Sequence, residues 1–576
     1  MSIYTVNKKS GTYSELLETY GLANLLHKIL VAVGFPDTDI VITDKEYCFE
    51  VSTSIDITDD IISKLKYFPP FKYIKQKVDS DVSQYPDYFD YPKQHEWKKE
   101  RQESLNAAYK KAKEERTREI DRINYIYETV KPRDIEYDVY SQIVEDSNNI
   151  PSFEKLYRNF HNSKDLFCDI VKEILSYYQN RPYNVASRAF KKNKTEEVTA
   201  LQIFNPTQGK GLKNEKANNI KGDNFSSKWI VETMKISGAF SDMVCKLVKV
   251  GARSFDLKIF VPEYKQLNYA TKYALIPNFK KFTKGNTPIK IDVLYILLLT
   301  KLLIENTGFS GRRRKIKDIV SGLHTVYQKS MGRKRAVANI GFIGIPNFIE
   351  IGNKEDVQEW LDILQEQMTI IGRMKEENDA TPGLMMYRNF ISGSSIDNFF
   401  KFSYWYAEYL MSQLSKQNKP RAFTINTLNK FYNSMDNQEL NLKSIIENEG
   451  FKAVAEAIRK STVSLQYLQK DLRKYEVRYG VAQALQTKSK TKTDLAEYIG
   501  EFISLYNAET SRKAEKGDSA FRKNVREDKL SQFYELLDNH SSKLIGALLA
   551  SYGYALPPKA QSVDDEDDLS EEETEE

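Results

Sequence analysis

The periodicity of apolar residues changes character once along this chain, and that change limits the fold more than any other feature. Up to about residue 351, strand-like runs punctuate helical segments, whereas from Val357 onward three- and four-residue spacings prevail. Period two places apolar groups on one face of a strand, and period 3.6 places them on one stripe of a helix. The chain is therefore expected to be α+β. A mixed α/β N-terminal body covers residues 1–370, an all-α helical bundle covers 371–563, and a disordered acidic tail covers 564–576. A chain of 576 residues exceeds what one core usually supports, and 41% hydrophobic content suffices to build more than one.

Within the body, Ser14 to Ala32 has helical spacing, Ile40 to Ser52 reads as two strands around Asp44 and Lys45, and Asp59 to Tyr67 returns to helix. Strand-like runs recur at 198–204, 255–262 and 337–351, the last broken by Gly341, Gly344 and Pro346. Residues 96–128 form a long charged helix whose few apolar positions, Leu105, Ala108, Ile120, Ile123 and Ile126, fit a solvated helix laced with ion pairs. Ile291 to Ile304 is too short to span a bilayer and contains Lys301, so it reads as a buried helix and no membrane partner is expected. Beyond a breaker at Asp379 to Gly383, polar joints at 416–422, 435–441 and 487–493 divide the bundle. Leu465, Leu468, Leu472, Tyr475 and Tyr479 set the buried stripe of a further helix. That helix would line Lys470, Lys474 and Arg478, with Arg473 beside them, into a basic ridge that follows a phosphate backbone; the alternative is a solvated helix face.

Residues 205–228, NPTQGKGLKNEKANNIKGDNFSSK, interrupt this pattern with a long polar loop. Lys210, Lys213, Lys216, Lys221 and Lys228 supply charge for phosphates, while Asn205, Gln208, Asn214, Asn218 and Asn219 supply paired donors and acceptors suited to base edges. The loop is expected to leave a strand at 198–204 and to end at a helix beginning at Trp229, capped by Ser226 or Ser227. A solvated surface insertion is the competing reading.

Charge supports a polyanion partner. The formal net charge is +5, but the tail from Asp564 to Glu576 carries ten acidic residues and no basic one, so residues 1–563 stand at +15. Two further basic clusters, Arg312, Arg313, Arg314, Lys315 and Lys317, then Lys329, Arg333, Lys334 and Arg335, lie beside glycines. Cys48, Cys168 and Cys245 are far apart and outside any metal-ligand spacing, which fits a reducing, cytoplasmic setting.

No catalytic signature stands out. His27, His95, His161, His324 and His540 form no HExxH or similar spacing, so no metal site and no cofactor are expected. Asp37/Asp39, Asp56/Asp59/Asp60 and Asp79/Asp81 sit in turn-like contexts and read as caps rather than magnesium ligands. Gly209-Lys210-Gly211 only begins a dinucleotide fingerprint, with Asn214 where the third glycine belongs, and neither a P-loop nor a GxSxG elbow is present.

Four segments carry a family likeness: NPTQGKGLKNEKANNIKG, then WIVETMKISGAF, KYEVRYGVAQAL at 474–485 and SSKLIGALLASYGYA at 541–555. The chain resembles the large subunit of the type I CRISPR Cascade effector complex, in its I-B and I-A forms. The resemblance implies a non-catalytic protein that contacts the guide RNA 5′ end, recognises the protospacer-adjacent motif in double-stranded target DNA and stabilises the R-loop with its displaced single strand. It implies Cascade backbone and small subunits as partners, with a recruited helicase-nuclease or, in a CRISPR-guided transposon, transposition proteins. Carried onto this chain, Asn205, Gln208, Lys210, Asn218, Asn219 and Lys221 would meet the motif duplex, and Lys474 and Arg478 the displaced strand. A metal-dependent nuclease and a structural RNA-binding protein remain competing classes.

Overall fold

The computed structural model describes the chain apart from residues 36–39, 116–122, 124–125, 127–134, 146–148, 184, 186–195, 208–225, 283–284, 308–313, 332–333, 378–379, 394, 419, 438, 469, 518–521 and 558–576. It begins with β1 (Ser2–Asn7), α1 (Ser14–Ala32) and the strands β2 (Ile40–Asp44) and β3 (Cys48–Thr53). The helix spans the range that its spacing predicts. Then come α2 (Asp59–Ser63), β4 (Tyr73–Lys75), β5 (Tyr88–Asp90), α3 (Tyr91–Glu114), α4 (Tyr137–Glu145), α5 (Asn149–Asn162) and α6 (Phe167–Tyr178). The second helix is shorter than the expected run to Tyr67, ending at Ser63 with Lys64 as its cap.

A short ribbon, β6 (Glu197–Thr199) and β7 (Ser226–Lys228), precedes α7 (Trp229–Asp242), followed by β8 (Val244–Gly251), β9 (Ser254–Tyr264), β10 (Gln266–Asn268), α8 (Tyr269–Lys281) and α9 (Lys290–Asn306). The body closes with β11 (Arg314–Lys315), β12 (Val320–Met331), β13 (Lys334–Gly344) and β14 (Glu350–Ile351). Two four-stranded sheets, ordered β1-β3-β2-β10 and β13-β12-β9-β8, are linked by the turn from β9 into β10. Helix α1 packs along α7, and glycines set their separation: a Cβ at Gly21 would sit 1.9 Å from the Met234 carbonyl oxygen, and one at Gly238 1.9 Å from that of Leu17.

Among the described residues the chain continues in helices, apart from a single β-bridge between Thr424 and Leu556: α10 (Lys354–Gly372), α11 (Thr381–Gly393), α12 (Ile396–Ser415), α13 (Ile425–Met435), α14 (Leu442–Glu447), α15 (Glu449–Ser461), α16 (Val463–Gln466), α17 (Val481–Lys488), α18 (Lys492–Ala514), α19 (Glu527–Asn539) and α20 (Ser542–Tyr552). Breaks after Ser415, Met435 and Lys488 fall at the three expected polar joints, and further breaks, such as those after Gln466 and Ala514, lie elsewhere. The architecture is α+β, with sheets in the N-terminal part and helices toward the C-terminus.

One contiguous cluster of buried apolar residues runs from Tyr4 to Ala555 and so crosses from body to helices. Polar contacts reinforce that passage. Buried Asp292 on α9 pairs with Lys258 of β9 and with Arg388 of α11, 3.0 Å away, and the Glu376 carboxylate accepts the backbone N–H groups of Ile289 and Lys290 at the start of α9. A separate small cluster joins Leu105 and Ala108 of α3 to Ile123 and Ile126, while Lys99, Lys110 and Lys111 pair with acids four residues on, as a solvated helix face requires.

Candidate nucleic-acid interface

The polar loop is rooted at both ends in the body. Antiparallel pairing of Glu197 with Lys228, Val198 with Ser227 and Thr199 with Ser226 brings its flanks together. The apolar run 198–204 stays extended only to Thr199, and Leu201 to Asn205 then folds into a turn. That turn is fixed from α1: the Tyr13 hydroxyl donates to the Ile203 carbonyl at 2.7 Å, and Ser14 Oγ donates to that of Phe204 at 2.6 Å. At the far end α7 does begin at Trp229. Ser226 and Ser227 lie in β7 rather than at the cap, which is Lys228 and makes no side-chain capping bond.

Asn205 is a correction to the sequence reading. Its side chain is buried rather than presented to a base edge: Nδ2 donates to Glu232 Oε1 and to the Leu201 carbonyl, each at 2.9 Å, and Lys235 Nζ donates to Oδ1 at 2.8 Å. Glu232 Oε1 also accepts the Leu201 N–H at 2.9 Å, so one carboxylate organises the whole turn. Desolvation pushes Glu232 above the usual carboxylate range, opposed chiefly by Lys235. Behind it Glu18 of α1 accepts the Tyr178 hydroxyl at 2.9 Å, and burial pushes its carboxyl up to about 7 against the pull of Lys235. Glu18, Glu232 and Lys235 were not singled out from the sequence. The available signal was two opposite charges, i and i+3, inside the otherwise apolar WIVETMKISGAF.

Gln208, Lys210, Lys213, Asn218, Asn219 and Lys221 lie outside the described residues, as do Arg312 and Arg313. Arg314 lies in β11, whose backbone pairs with β14, Arg314 opposite Ile351.

The expected basic ridge does not form. Residues 465–479 are not one helix: α16 ends at Gln466, Lys470 to Leu472 make a single 3₁₀ turn, and the segment then runs as an irregular strap to Gly480, whose φ of +71° suits glycine. Leu472 and Tyr479, assigned to a buried stripe, are exposed. Tertiary contacts hold this shape. Arg473 donates to the Leu468 and Gln466 carbonyls, both at 3.0 Å, so its guanidinium closes the helix end. Arg478 stacks 5.1 Å from the Phe502 ring centre and pairs with Glu509 at 3.9 Å, which turns it into the bundle. Arg522, fully buried, lies over Tyr475 at 4.1 Å and donates to Glu509 and to the Lys460 carbonyl. Lys470 and Lys474 remain exposed, but no row joins them to Arg478.

The histidines rest mainly among aromatic neighbours. His27 stacks on Tyr269, His161 sits among Tyr67, Tyr85 and Tyr157, and His95 contacts the Tyr137 hydroxyl. Strand pairing of β9 with β12 creates one His–carboxylate contact invisible to sequence spacing, His324 with Glu263. Of the acidic clusters, Asp59 and Asp60 occupy the first turn of α2, and Asp81 accepts the Ser83 N–H at 2.9 Å, as caps and turns do. Among the described residues, no three His, Cys, Asp or Glu side chains converge as a metal site, and no helix is long and apolar enough to cross a membrane.

No protein-family model matches the chain, and no curated protein shows significant similarity to it.

Proposed function

We propose that this protein is the non-catalytic large subunit of an RNA-guided DNA surveillance complex of the type I CRISPR kind. In this reading it recognises the protospacer-adjacent motif, contacts the guide RNA 5′ end and stabilises the R-loop. The reading is supported above all by the segment that carries the resemblance: a loop rich in lysine, asparagine and glycine whose two flanks pair as β6 and β7 and whose root is pinned to α1 and α7. Such an arrangement suits a loop that must offer polar groups from a defined position. The formal charge of +15 on residues 1–563 supplies the accompanying attraction for phosphates. With Asn205 committed to the root, base-edge contacts fall to Gln208, Asn218 and Asn219, and phosphate contacts to Lys210, Lys213 and Lys221.

Co-purification with the products of neighbouring genes, followed by sequencing of the bound nucleic acid, tests the proposal. A discrete repeat-derived guide RNA supports it. Magnesium-dependent DNA degradation without a guide would favour a nuclease, and transposition proteins among the partners would assign the complex to a transposon.

A further inference from the structure

The four-stranded sheet β13-β12-β9-β8 brings two basic segments together that are about 80 residues apart in the chain. Leu257 of β9 pairs with Gln328 of β12, so the β8–β9 turn at Gly251 to Ser254 and the paired ends of β12 at Met331 and β13 at Lys334 lie at the same end of the sheet. With strands about 4.8 Å apart, β8 and β12, on either side of β9, lie about 10 Å apart. Beyond the last β9–β12 pair, Asp256 continues the connection: its carboxylate accepts the Tyr327 hydroxyl and the Ser330 N–H, the latter at 2.8 Å. The two prongs are thus braced, and the acid between them is buried and engaged.

Two groups of charges stand out along the described residues of these hairpins. Lys246 pairs with Asp138 of α4 at 3.5 Å and Arg335 with Glu145 of the same helix at 3.3 Å, so these two hold the sheet against α4. Arg253 and Lys329, one on each prong, are exposed, and no carboxylate among the described residues pairs with either. Exposed Val250 and Met331 stand beside them.

We infer that the paired hairpin ends form a two-pronged clamp for the phosphodiester backbone of a nucleic acid, with Arg253 and Lys329 each neutralising a phosphate. A spacing of about 10 Å approaches the width of a DNA major groove, about 12 Å, so the prongs reach either two strands across a groove or two separated phosphates of one strand. The inference rests on the proposed nucleic-acid role but places a contact well away in sequence from the loop at 205–228.

The test uses the full chain and two labelled probes, a 30-base-pair DNA duplex and a 30-nucleotide single-stranded RNA, each titrated over a range of salt. For Arg253→Ala with Lys329→Ala, the slope of log affinity against log salt should become shallower by about 1.8 on duplex, or by about 1.4 on the single strand, whichever probe the clamp holds. Arg253→Lys with Lys329→Arg should keep the original slope, and Lys99→Ala with Lys110→Ala, on the solvated face of α3, should change neither. If the unaltered protein binds and the Arg253/Lys329 pair retains its slope on both probes, the clamp is overturned while the proposed function stands; the prongs would then face a protein. If the unaltered protein and its guide-containing complex bind neither probe, both proposals fall.

Discussion

Removing the Lys235 ammonium by Lys235→Met should expose how the root of the polar loop is held. Lys235 is buried between Asn205 and two carboxylates, Glu232 and Glu18, and its charge opposes the desolvation of both. Methionine keeps the stem's volume but leaves the acids uncompensated, a loss of about 3 to 5 kcal/mol at pH 8. The pH dependence fixes the cause. Because the folded-state pKa of Glu18 is raised to about 7, the folded chain binds more protons than the unfolded chain between about pH 4.5 and 7. This group's contribution is therefore fully present at acid pH and is lost as pH rises through 7, by about 3 kcal/mol. Without Lys235 the Glu18 pKa rises further, so the variant should lose stability over a window extending above pH 7 and resemble the unaltered protein more closely at pH 5.5. Urea titrations at both pH values, followed by tryptophan fluorescence, measure this, since Trp229 is buried at the start of α7. Adding Glu232→Gln should recover part of the loss. A cost below about 1 kcal/mol at pH 8, or one independent of pH, would refute the electrostatic account of the root.

Other outcomes follow from packing. Gly21→Ala or Gly238→Ala drives a Cβ to 1.9 Å from a facing backbone oxygen and should cost about 3 kcal/mol, read from urea midpoints. Arg522→Met should cost about 3 kcal/mol and speed proteolysis within 467–480, because Glu509 loses its buried partner and the strap its stacking surface. Arg478→Ala should lower the melting temperature, whereas Lys470→Ala should leave it unchanged; equal effects would contradict the strap geometry. A fragment beginning at Asn353 should be more helical and more resistant to urea than one beginning at Met385, since Trp360 packs against Phe431 and the Glu366 carboxylate accepts the Thr424 N–H at 2.8 Å; circular dichroism compares them.

Local periodicity sufficed wherever a segment's partner could be anything apolar. Ser14 to Ala32, the strands around Asp44, the buried helix at 290–306 and the joints after Ser415, Met435 and Lys488 all follow from side-chain spacing and breakers, which act within a few residues. The start of α7 at Trp229 was legible for the same reason. Sequence could not reveal that Asn205 turns inward, because that depends on Glu232 and Lys235 arriving from the next helix against α1. Nor could it show that 465–479 abandons helical spacing: Arg522, some fifty residues on, offers a buried cation that stacks on Tyr475 and, with Glu509, outweighs the local stripe. Strand register decided the rest, setting His324 against Glu263 and bringing the β8–β9 turn to the same end of the sheet as Met331, placements that spacing along a chain does not encode because hydrogen bonds between strands, not proximity in sequence, select them.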